Sequence, residues 1–106
     1  MLLKYSLEID RKAVLANLNR IVNQIYKLLP DREEGIEWKA PLETIIVELV
    51  GMDRLLVDQH EVFFPLLCKL EGLFELDEEK DFFSYRRTIF ESLNLMSNVI
   101  ENVRVR

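Results

Sequence analysis

A chain of 106 residues, 49% hydrophobic and 31% charged, has the size and balance of one globular domain spanning 1–106. Its formal net charge of −5, from 19 acidic and 14 basic side chains, argues against the basic field of a nucleic-acid-binding protein. A lone cysteine, Cys68, excludes an intrachain disulfide and fits a reducing, cytoplasmic setting.

Met1–Ser6 is too short and too soon charged to read as a secretory signal. The most apolar stretch, Val62–Leu70, contains Pro65 and Lys69 and falls far short of the ~20 apolar residues of a membrane span. Three glycines and three prolines are few breakers in a chain rich in Leu, Glu, Lys and Arg. The expected class is therefore all-α: a compact bundle of about four helices, near 10–29, 41–58, 62–75 and 78–101.

At the start, Leu3, Tyr5, Leu7 and Ile9 alternate with polar residues. This predicts a short extended N-terminal arm or a frayed first turn, with Ser6 or Asp10 as N-cap. From residue 10, Val14, Leu18, Ile21, Ile25 and Leu28 recur at helical spacing, and Pro30 is expected to end that helix. Asp31–Ala40 reads as the longest loop, anchored by Ile36 and Trp38. Trp38 either tucks onto the bundle or serves as an exposed binding anchor.

Pro41 suits a first helical position, and Leu42, Ile45, Ile46, Leu49, Met52 and Leu56 form the second stripe. Gln59–Leu76 is a shorter helix carrying Phe63, Leu66, Leu67, Leu70, Leu73 and Phe74. Pro65 restricts its start, or marks a kink in one long bent helix. After an acidic connector, Phe82, Ile89, Leu93, Met96, Ile100 and Val103 form the last stripe. Cys68 reads as a small buried hydrophobe.

Two charges interrupt these stripes. Asp53 falls among Leu42, Ile46, Leu49 and Leu56, and Arg86 among Phe82, Ile89, Phe90 and Leu93. An unpaired charge in an apolar interior is costly, so the two are expected to meet as a buried ion pair. Removing one partner of such a pair costs about 3–5 kcal/mol. Alternatively Asp53, Arg86 and His60 line a pocket for a small ligand or a nucleotide. His60 lies two turns beyond Asp53, but these two side chains alone are too few for a metal site.

No glycine-rich phosphate loop, nucleophile elbow, paired Cys-x-x-Cys or His-Glu-x-x-His motif occurs, so no cofactor, metal or catalytic residue is assigned. Nucleotide pyrophosphatases of the MazG type hold Mg²⁺ with Glu-x-x-Glu and Glu-x-x-Asp on helices. Here Glu34 and Glu37 share the first spacing, but in a glycine-containing loop, and the helix after the second has no Glu-x-x-Asp. A nucleic-acid reading would rest on Arg86-Arg87 and the tail residues Arg104 and Arg106.

The second helix carries more apolar residues than one face needs. Val47, Gly51 and Leu55 are spaced by four and form one line away from the core stripe. Another helix of the bundle, a second copy in a homodimer, or a partner protein would cover that line. A compact, acidic, motif-free helical chain with the Leu28–Gly35 turn is similar in general character to short helical reading frames of bacteriophages and other mobile elements. That likeness implies an accessory role exercised by binding. The sequence thus predicts a non-enzymatic protein–protein interaction module, with a small-ligand or nucleotide-handling enzyme as the alternative and no membrane association.

Overall fold

The computed structural model describes residues 2–103, with side chains from residue 11 onward. Its helices are α1 (Leu2–Glu33), α2 (Lys39–Leu55), α3 (His60–Gly72) and α4 (Phe82–Glu101). Single 3-10 turns at Leu73–Glu75 and Glu79–Asp81 lie in the α3–α4 connection. Each helix packs on its two neighbours around a closed ring: α1 on α2, α2 on α3, α3 on α4, and α4 back on α1. Short connections make successive helices antiparallel, as in an up-and-down four-helix bundle. The basic tail, Arg104 and Arg106, lies outside the described residues.

The helix starts and ends differ from the pattern-based expectation for identifiable reasons. The N-terminal arm is not extended, because α1 is helical from Leu2. Alternation over eight residues does not exclude a helix when the same residues continue a longer helical stripe. Pro30 does not end α1 either. The helix runs one further turn and closes in a Schellman arrangement: Ile36 N donates to Asp31 O at 2.8 Å, and Gly35 N to Arg32 O at 3.1 Å. Gly35 has φ +74°, the left-handed conformation this cap requires. A proline removes one i→i−4 bond and restricts its neighbour, and a well-made cap one turn later retains the helix past it.

Glu37 then caps the next helix from two residues before its start. Its Oε1 accepts from Lys39 N at 2.7 Å and Ala40 N at 3.3 Å, satisfying two otherwise orphaned donors. At the far end of α2, Leu56 turns extended and Asp58 takes φ 58°. Residues 56–59 are thus a true turn, and α3 starts at His60. Pro65 is accommodated as the sixth residue of α3.

The core is one continuous cluster. α1 contributes Val14, Leu18, Ile21, Ile25 and Leu28, the stripe read from sequence, and α2 contributes Leu42, Ile45, Leu49 and Met52. Phe63, Leu66 and Leu70 come from α3. In α4 the buried residues are Tyr85, Ile89, Ser92, Leu93, Met96 and Val99, so its inward face is rotated from the expected one. Phe82 is half-buried and Phe90 exposed, while Tyr85 is fully buried. Ser92 is tolerated inside because its hydroxyl donates to Thr88 O at 2.8 Å. Cys68 is exposed, contrary to its reading as a buried hydrophobe, because it lies off the Phe63–Leu66–Leu70 line.

Candidate functional site

The α2 stripe buries Leu42, Ile45, Leu49 and Met52, so the opposite side of that helix must face outward. Val47 sits at the centre of that outward side and is 65% exposed; Val50 is 41% and Leu55 44% exposed. Gly51 is open as well: a Cβ placed on it would meet, beyond its chain neighbours and the backbone of its own helix, no atom within 4 Å. No other helix of the bundle therefore covers the Val47–Gly51–Leu55 line. Beside it runs a shallow groove of about 480 Å³ between α1 and α2, lined by Asn17, Arg20, Glu48, Gly51, Met52, Arg54 and Leu55. Arg20 spans its wall to pair with Glu48.

Trp38 does not join this surface. It is buried, with its ring edge-on to Tyr85 at a centroid distance of 5.0 Å, so it is a packing residue and not an exposed anchor. Leu95 on α4 is half-buried against the core cluster.

The expected Asp53–Arg86 pair is not formed. Asp53, with an 18% exposed side chain, pairs through Oδ2 with His60 Nδ1 at 2.8 Å across the α2–α3 turn. His60 itself is 73% exposed, so this contact sits at the bundle surface. Arg86 is exposed and lies over the Phe90 ring, 5.3 Å from its centroid. The two charges also occupy different ends of the molecule. Gln59, next to His60, donates from Nε2 to Asn102 O at 2.6 Å. That places His60 beside the C-terminus of α4, while Arg86 lies in its second turn, roughly 20 Å away along the helix. Asp53, Arg86 and His60 therefore line no common pocket. Arg86 read as an inward residue because Phe82, half-buried outside the core cluster, and Phe90, exposed, pulled the inferred face of α4 toward it.

The arginine that packs among aromatic rings of the bundle is Arg32, which is half-buried. Its guanidinium lies 4.3 Å from the Tyr85 ring centroid and 5.7 Å from those of Trp38 and Phe82. Its Nη2 donates to Glu78 O at 2.6 Å, while Nη1 is buried without a hydrogen-bond partner among the described residues. Beside it Lys39 Nζ bridges to Asp77 Oδ2 at 2.8 Å, and this side-chain bond holds the Asp77 carboxyl below its ordinary pKa. Burial pushes the Tyr85 phenol upward, and its hydroxyl reaches Leu28 O at 3.4 Å. Together these contacts tie the end of α1 and the start of α2 to the α3–α4 connection. The adjoining cleft of about 820 Å³ is edged by Glu33, Asp77, Glu79 and Lys80, with Phe83 open on its rim. Sequence reasoning passed over Arg32 because Pro30 appeared to put it in a loop.

Among the described residues no three His, Cys, Asp or Glu side chains lie together in a way that holds a metal ion. Glu34 and Glu37 do not share a helix, and Glu37 is engaged in capping. No helix among the described residues is long and apolar enough to cross a membrane. No family model, curated protein or solved structure matches this chain.

Proposed function

We propose that this protein is a non-enzymatic interaction module that binds another protein chain on the outward face of α2. The observation that carries this reading is the clustering of exposed apolar side chains. Of the eight large hydrophobic residues exposed among those described, three (Val47, Val50 and Leu55) fall within nine residues of α2. Singly exposed apolar residues are ordinary, whereas a contiguous patch bordered by charge marks a contact surface. Gly51 adds a low point in the patch that admits the backbone or side chain of a partner. Glu43, Glu48 and Arg54 supply the polar rim expected of such a surface.

A photo-crosslinking residue in place of Val47, irradiated in the native cell, tests the reading. The expected result is one discrete protein adduct that disappears when Leu55→Glu is added. Failure to form that adduct, with the same probe at Phe83 reacting normally, would refute a contact on α2. The Leu55 side chain is partly exposed, so Leu55→Glu should leave the bundle folded, which circular dichroism checks.

A further inference from the structure

Resting on that reading of α2, we infer that the partner is a second copy of the same chain, docked antiparallel through the line Glu43–Val47–Val50–Arg54. These four residues recur at offsets of four, three and four, so they form one straight line on the helix surface. All four are exposed, and neither Glu43 nor Arg54 makes an ion pair or side-chain hydrogen bond among the described residues. The line has an acid at its N-terminal end, a base at its C-terminal end and two valines between. Its midpoint is common to the Glu43–Arg54 and Val47–Val50 pairs.

That arrangement is self-complementary in only one sense. When two α2 helices cross antiparallel about a two-fold axis at the shared midpoint, Glu43 of each meets Arg54 of the other. Both ion pairs then form at once, and Val47 of each copy packs beside Val50 of its partner. A parallel pairing would instead set Glu43 against Glu43 and Arg54 against Arg54. A two-fold interface repeats every contact, so one favourable charge pair counts twice. Antiparallel helix dipoles also attract rather than repel. The groove beside Gly51 and Leu55 lies along the edge of the same contact, where the partner's flank would rest. One helix face is a small interface, so the association belongs to the weak class, near or below about 1,200 Å² of total buried surface.

The test is sedimentation equilibrium on the full chain, with Glu43→Arg, Arg54→Glu and the double exchange. Wild type is expected to dimerise reversibly. Each single exchange creates two like-charge contacts and should weaken dimerisation at least roughly tenfold. An equimolar mixture of the two single variants should recover it as a heterodimer, because every contact across that pair is again opposite in sign. The double exchange should recover it as a homodimer. A wild type that stays monomeric overturns the inference, as does a dimer indifferent to the single exchanges or one that neither combination restores. The variant sites are exposed and unpaired, so the fold is not at stake; unchanged thermal unfolding verifies this. A monomeric wild type combined with a Val47 adduct to a different protein would overturn self-pairing while leaving the α2 contact standing.

Discussion

Replacing Arg32 with alanine should destabilise the bundle, whereas replacing Arg86 should not. The Arg32 guanidinium donates to Glu78 O at 2.6 Å, a charged hydrogen bond worth about 1.5–3 kcal/mol. Its face-on approach to the Tyr85 ring at 4.3 Å, partly removed from water, contributes about 1–2 kcal/mol more. Against this, Nη1 is buried with no partner among the described residues, and removing it relieves about 1–3 kcal/mol. The balance is a net loss of about 2 kcal/mol, or roughly 10 °C in melting temperature for a domain of this size. Among the described residues the exposed Arg86 lies over the Phe90 ring and makes no ion pair, so Arg86→Ala should stay within about 0.5 kcal/mol. Urea unfolding reports both, using Trp38, the only tryptophan, which packs against Tyr85. An Arg32→Ala loss under about 0.5 kcal/mol would refute the staple. An Arg86→Ala loss near 3 kcal/mol, removed in an Asp53→Ala background, would restore the ion pair the structure does not contain.

Alkaline pH should weaken the fold through Tyr85. Its phenol stays protonated in the folded state beyond the ordinary value near 10, so above about pH 10 the unfolded chain binds fewer protons. Stability should then fall by up to about 1.4 kcal/mol per pH unit, and Tyr85→Phe should remove that component in denaturant titrations at pH 9 to 11. Gly35→Ala should cost about 1–2 kcal/mol by thermal melting, because φ +74° in the α1 cap disfavours a side chain; an unchanged melting point would contradict the cap. Gln59→Leu should cost about 1–3 kcal/mol, since the buried amide joins the α2–α3 turn to the end of α4 through Asn102 O; faster amide exchange near residues 99–102 would locate the loss there.

The proposed contact on α2 and the staple around Arg32 divide the molecule's noteworthy chemistry between surface and end. The staple uses most of its polar groups on itself: Lys39 is paired to Asp77 and Arg32 Nη2 donates to Glu78 O, with Nη1 left over, buried among rings where no partner chain reaches it as an exposed charge. On α2 the reverse holds, since apolar side chains and two unpaired charges face outward on one line. Interaction surfaces are places where local satisfaction is incomplete until a partner arrives, and that contrast is what favours α2 over the aromatic end.

The sequence by itself determined the helical class, the inward stripe of α1 and most of those of α2 and α3. Helical periodicity is a local property, and side chains spaced by three and four must share a face whatever they pack against. It also singled out Val47, Gly51 and Leu55 as surplus to the α2 core. Whether anything in the bundle covered them was a tertiary question, and the ring of helices leaves them open. The phase of α4 needed the structure too: three aromatics (Phe82, Phe83 and Phe90) sit outside its core, and the residue that goes inside, Tyr85, carries a polar tip. That shift of roughly 30° in the inferred face put Arg86 at the margin of the core on paper and outside it in fact. Which charges meet is likewise a matter of helix order and chain ends. Asp53 found His60 across a four-residue turn, and Arg32 found its aromatic neighbours only because α1 continued past Pro30.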